Sequence, residues 1–211
     1  TYYYISYRGL PGGIVRRLSD LYTDVGREWD QNFFSQLSWQ DHFGSFGLRA
    51  ILQYAHDRLH YRSDYDYNMS VHSNVTYHQQ DAYGAVAASY SYKDLGVSLS
   101  SDLRWSDLTA DLKHFSYVYR LDNKTSLSVF YRWKGLALNA TGLYTYCRDH
   151  TRRQADPLHR FTWDAMASYT LGDWTLRTFY KSVFRIPTLN DLYYTLVGNR
   201  SLRPEYTKQV D

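Results

Sequence analysis

The chain holds one cysteine and four prolines in 211 residues. It has no apolar run approaching the 18 or more residues that mark a membrane-crossing helix. With Cys147 alone, an intrachain disulfide is impossible, and neither a zinc cluster nor a cysteine-rich secreted scaffold fits. Cys147 reads as a small packed residue. Charge of one sign is also missing: 24 Lys and Arg stand against 21 Asp and Glu, spread along the chain. No basic run marks a tail for nucleic acid or an anionic membrane. The opening stretch TYYYISYRGLPGG has neither a basic n-region nor an apolar h-region, so no signal peptide is visible. It starts within what reads as a strand, and the expectation is a piece of a longer chain.

What is present in quantity is aromatic. Tyr, Trp and Phe make up 18% of the residues, with 23 Tyr, 6 Trp and 9 Phe. Mean hydropathy is nevertheless -0.57. A disordered chain would be poor in aromatics. Period-two alternation organises them. Val97, Leu99, Leu103 and Trp105 share one parity, while Ser98, Ser100, Asp102, Arg104 and Ser106 share the other. The same holds around Phe161 to Leu171, Leu136 to Tyr146 and Phe46 to Tyr54. Each is a strand with one apolar and one polar face. No segment sustains a helical period with caps at both ends, so the expected fold class is all-β.

Connections alternate in length. Short turns with Gly beside Asp or Lys fall at residues 40–44, 93–96, 133–135 and 171–173, and longer polar stretches at 10–27, 59–72, 107–124, 148–159 and 186–204. This predicts an antiparallel meander of about ten strands, each about 8 to 15 residues long, where strands of soluble domains centre near 5 to 6. Long strands, tight turns at one end and long loops at the other describe a transmembrane β-barrel. Its apolar parity would face lipid and its polar parity the lumen, with Trp29, Trp39, Trp105, Trp133, Trp163 and Trp174 in the interfacial girdles. A soluble β-sandwich that binds glycan or protein through aromatic loops uses the same alternation to face a core, and stays open as an alternative. So does a passive porin.

FRIPTLNDLYY at residues 184–194, followed by GNRSLRPEYTKQ at 198–209, resembles a segment of TonB-dependent outer-membrane receptors. That segment reads FRAPT or FRMPT, then a loop, then GN-x-x-L-x-PE at the next strand. RGLPGG at 8–13, DQNFFSQLSW at 30–39 and YAHDRLHY at 54–61 are similar to elements of such receptors in the Bacteroidetes group. The resemblance implies a 22-stranded barrel closed by an N-terminal plug, with this chain holding about strands 5 to 14. The plug, and the contact with TonB that it makes, would lie outside this chain, as would the C-terminal strands. It implies an outer-membrane location, bilayer lipid around the wall, and uptake of a scarce large solute such as cobalamin or a ferric siderophore. Haem receptors of this kind carry FRAP and NPDL boxes with a histidine between them. Here the boxes are FRIP and NRSL, and residues 188–198 contain no His, which argues against haem.

The FRIP stretch has a physical case of its own. Pro187 cannot donate to a ladder and stops the strand after Arg185. Asn190 and Asp191 can bond their local backbone and shape a turn. Tyr193 and Tyr194 offer flat amphipathic surfaces for a bulky ligand, or else only order the loop. Tyr61, Tyr65 and Tyr67, interleaved with Asp64 and Asp66, form a second aromatic loop suited to ligand or to a surface lipoprotein that delivers substrate. Arg177, Lys181 and Arg185 share a parity opposite Trp174, Leu176, Tyr180 and Phe184. They form a basic stripe that faces either the plug or an anionic solute, or a solvated wall paired with acidic neighbours. His56 and His60 have a metal-pair spacing, but four residues of strand span about 13 Å, too far to share one ion. Asp41–His42 and Asp149–His150 lack a nucleophile motif, so no catalytic residue, cofactor or metal is assigned, and aromatics among mixed charges do not suggest nucleic acid.

Overall fold

The computed structural model describes residues 2–6, 27–63, 73–113, 115–151, 156–193 and 199–211. They form one ten-stranded antiparallel sheet in which every strand lies beside its sequence neighbours. The strands are β1 (Tyr2–Ser6), β2 (Arg27–Phe43), β3 (Phe46–Ser63), β4 (Ser73–Tyr92) and β5 (Leu95–Ala110), then β6 (Val118–Trp133), β7 (Leu136–His150), β8 (Leu158–Leu171), β9 (Trp174–Arg185) and β10 (Glu205–Val210). The all-β meander expected from alternation is therefore the fold. Tyr65, Tyr67 and Tyr194 lie outside the described residues.

Four two-residue turns close the hairpins at one end. Gly44, Lys93, Lys134 and Gly172, each first in its turn, have φ between 49° and 61°. That conformation lets the turn follow the right-handed twist of its strands. The pairs that seal the hairpins are Phe43 with Phe46, Tyr92 with Leu95, Trp133 with Leu136 and Leu171 with Trp174. Large cross-strand pairs of this kind hold register at the mouth of a turn. Gly135 is needed for a different reason, since a Cβ there would stand 2.3 Å from the Thr170 carbonyl oxygen.

Register assigns every side chain to a face. Leu37, Leu52, Gly84 and Leu103 lie in one cross-strand row, and Asp81, Ser106, Arg120 and Asp149 in another on the opposite side. The apolar side is open: Leu37 is 68% exposed, Leu52 60% and Leu176 75%. All six tryptophans fall on that parity. The polar side is covered in part, with Ser106 and Thr162 at 7% and Thr145 at 4%, while Arg49 and Arg177 stay exposed. This is the concave side, and the β9–β10 connection crosses it to rest on β4, β5 and β6. A small cluster of Val75, Tyr77, Leu108, Val118 and Leu189 marks that contact.

The sheet departs from the sequence reading at its loop end. Residues 59–63, 107–110, 118–124, 148–150 and 158–159, expected in loops, are strand, and β4 reaches 20 residues. There the exposed face changes from Leu and Val to His, Arg, Gln and Thr. Apolar alternation fades while backbone pairing continues. The ladder between β8 and β9 is the exception: it runs only from Asp164 with Lys181 to Leu171 with Trp174. Above it, residues 158–163 and 182–185 pair with their other neighbours only.

Candidate functional site

The strap that joins β9 to β10 begins at Ile186. Pro187 ends the ladder as expected, and its carbonyl is then used. Arg120 of β6 donates from Nη1 to the Pro187 oxygen at 2.6 Å. The same guanidinium grips Asp149 of β7 with both edges, Nε to Oδ1 at 2.6 Å and Nη2 to Oδ2 at 2.7 Å. Both side chains are largely buried, at 11% and 15% exposure. One arginine thus ties two wall strands to the strap by charge-assisted bonds.

Beyond Pro187 the chain makes a single helical turn, α1 (Leu189–Tyr193). Its start is a capping box. The Thr188 amide donates to Asp191 Oδ2 at 2.9 Å, and the Asp191 amide to Thr188 Oγ1 at 3.1 Å. Hydrogen bonding to the carboxylate by the Thr188 amide, then by its side chain, holds Asp191 below the ordinary carboxylate range. Asp191 therefore shapes the backbone as its type suggested, but as a helix cap. Leu189 and Leu192 turn inward and are buried, Leu189 against Val75, Tyr77, Leu108 and Val118. Tyr193 packs beside this cluster with Arg200 over its ring at 5.4 Å. Burial, then the neighbouring Asp149, pushes its hydroxyl pKa up. The Asn199 amide closes the strap onto the Asp191 carbonyl at 2.7 Å.

Under the strap lies a cavity of about 770 Å³. Five cations, Arg104, Arg120, Lys124, Lys181 and Arg185, and three carboxylates, Asp81, Asp122 and Asp164, line it among Ser and Thr. Several are spoken for: Arg120 by Asp149, Lys124 by Asp122 at 3.1 Å, and Asp81 by the Ser106 hydroxyl. A second cavity of about 330 Å³ lies towards β2 and β3. Its charged lining is Glu28, Asp30 and Asp57, all acidic. Asn190 lines both cavities, and its Oδ1 is buried without a partner. The strap divides the concave face into a mixed chamber with excess positive charge and an acidic one.

Of the residues expected at a site, Arg185, Asn190, Asp191 and Tyr193 are brought together on or beside the strap. Tyr61 is on the concave parity of β3 but lines neither cavity. The basic stripe is real in part: Lys181 and Arg185 line the larger cavity. They stand opposite Asp164 and Glu205 in register, yet neither forms an ion pair within 4.0 Å among the described residues. Sequence reading missed Arg120 and Asp149 as the clamp. The available signal was the alternation Arg120, Asp122, Lys124, Ser126, four polar residues in succession on one parity of the strand.

Cys147 is buried and free. Among the described residues no three His, Cys, Asp or Glu side chains converge as a metal site. No family model matches the chain, and no curated protein matches it.

Proposed function

We propose that this chain is part of the wall of a transmembrane β-barrel in a bacterial outer membrane, in a receptor of the TonB-dependent kind that takes up a scarce large solute. The observation that carries the reading is the inversion of burial. Leu37, Leu52, Val86, Phe161, Trp174 and Leu176 on the convex face are open, while Ser106, Thr145 and Thr162 on the concave face are buried. Water penalises that arrangement and lipid favours it, at roughly 25 cal/mol per Å² of apolar surface. A two-sheet sandwich would need a second sheet over the convex face, whereas the packing present is the strap on the polar face.

In this reading the concave face binds the solute without covalent chemistry, and the cavities beside the strap support it. The chamber is bounded by Lys181 and Arg185 and roofed by a strap whose FRIP residues carry the family resemblance. Cobalamin and ferric siderophores are solutes of suitable bulk, and haem fits less well because the strap offers no histidine. A surface lipoprotein at the loop end and TonB acting through a plug are the partners this reading entails.

The test uses the full-length protein in cells lacking their own copy. Uptake of radiolabelled cyanocobalamin and of a panel of ferric siderophores is measured with and without a protonophore. Energy-dependent uptake of one of these is expected. Uptake that persists without energisation would favour a passive pore. A full-length protein that is monodisperse in detergent-free buffer would sink the barrel reading.

A further inference from the structure

On β3 the stretch HDRLHYR, residues 56–62, sorts its charges by parity. Asp57 turns to the concave face and lines the acidic cavity. His56, Arg58, His60 and Arg62 share the convex parity, the one that carries Leu48, Ala50, Leu52 and Tyr54 lower on the same strand. The paired histidines noted for their spacing are therefore two rungs of a basic ladder, not a chelate. Neighbouring rungs are about 7 Å apart. His78 extends the ladder sideways, opposite Arg58 in register and with its ring 5.9 Å from that of His56.

The acidic groups near the ladder are few: Asp57 on the opposite face, Asp107, and Asp111, whose Oδ1 accepts from the Thr76 amide at 2.7 Å. The convex positions flanking the ladder on β2 and β4 are Trp29, Gln31 and Phe33, and Thr76, His78 and Gln80, with no carboxylate among them. Asp107, one strand further, is 5% exposed. It is committed to the Gln80 amide at 2.9 Å and the Tyr117 hydroxyl at 3.2 Å. Arg58 is exposed and has no hydrogen-bond or ion-pair partner among the described residues. His60 gives Nδ1 to a bond with Thr76 Oγ1 at 3.0 Å, and its other ring nitrogen is left for a ligand.

Height decides what the ladder meets. Along β3 it begins directly above Tyr54, where the apolar band ends, on the long-loop side of the wall. In a barrel that is the level of lipid headgroups. We propose that His56, Arg58, His60 and His78 form a docking surface for a lipid headgroup bearing more than one phosphate, of the lipid A type, in the leaflet on the long-loop side. Guanidinium and imidazole N–H groups supply the donors that phosphate oxygens accept. The adjacent open Leu and Val face takes the acyl chains. The proposal rests on the barrel reading.

The test is lipid A binding by the full-length protein purified in detergent and reconstituted into phosphatidylethanolamine vesicles with or without lipid A. Wild type should retain lipid A, and Arg58→Gln with His60→Gln should bind it roughly tenfold more weakly. Lys93→Gln, at the opposite end of the wall, should match wild type. If the double variant fails to fold, Arg58→Gln alone, at an exposed position, should still show a severalfold loss, and Arg58→Lys should restore most of it. Equal binding by wild type and variants overturns the proposal. So does full displacement by millimolar inorganic phosphate, which would make the surface a free-anion site. Failure to insert into either vesicle overturns the barrel reading itself, whereas insertion into both without ladder-dependent lipid A retention overturns only this inference.

Discussion

The two ends of this sheet solve different problems with the same backbone. At the turn end the strands are clipped by two-residue turns, the convex face is mainly apolar with Asp41, Ser101 and Thr178 as exceptions, and the concave face is mixed, with Gly47, Ser98, Arg49 and Arg177. At the loop end the ladders continue, but the convex face becomes basic and aromatic and the concave face is filled by the strap, its Arg120–Asp149 clamp and two cavities. One end is built to sit in a uniform environment and the other to make specific contacts. On the barrel reading proposed above, strand length here exceeds what a bilayer needs, and the surplus carries the strap contacts.

The sharpest break of the contrast is at the clamp. Arg120→Ala leaves Asp149 buried without its partner and frees the Pro187 carbonyl. Removing one member of a buried pair typically costs about 3 to 5 kcal/mol. The expected result is a large drop in stability in detergent by denaturant titration, with proteolysis appearing within residues 186–193. A loss under about 1 kcal/mol would show that the clamp is incidental.

Depth on the convex face gives the next test. Leu127→Arg, in the apolar band and 50% exposed, should cost about 2 to 4 kcal/mol in a bilayer, while Gln31→Arg at the loop end should cost about 0 to 1. Equal costs would erase the distinction between the ends. Folding titrations into vesicles measure both.

The turn end has its own weak point. Gly135→Ala places a Cβ against the Thr170 oxygen and strains the Thr170 amide bond to the Gly135 carbonyl, now 2.9 Å. A loss of about 1 to 3 kcal/mol is expected, against about 1 for Gly44→Ala, where positive φ is the only obstacle.

The smallest effect concerns pH. The folded-state pKa of Asp191 is depressed by the Thr188 bonds, so its contribution is present above the unfolded carboxylate pKa and is lost as pH falls through the depressed folded value. Hydrogen exchange of the Thr188 amide should quicken in that acid window, and Asp191→Asn should remove the pH dependence. Exchange that does not change through acid pH would argue against the cap.

The turn end was legible in the sequence because apolar alternation and strand pairing coincide there. Val97, Leu99 and Leu103 announce both the strand and its face. The loop end was not, because polar stretches such as residues 59–63, 107–110 and 118–124 look like loops to any reading based on hydropathy. The strap was half legible. Pro187 as a strand stop follows from chemistry, and Thr188 with Asp191 three residues on is a capping pattern. Its docking partner Arg120 lies 67 residues away in sequence. No local pattern reports a contact of that range. Tyr61 was drawn in by its type and sits away from both cavities, since aromatic content marks a face more readily than a site.

The short ladder between β8 and β9 has a mechanical consequence. It has eight rungs, where β3 and β4 share 18 and even β7 and β8 share 12. Of the seams from β2 to β9 it is the one that tears first under load. The strap springs from the stretch of β9 that pairs with β10 but not with β8, and is anchored across the hollow on β6. A pull on the strap is thus delivered to the wall where it is least stitched, and residues 158–163 and 182–185 are where amide exchange and forced opening should begin.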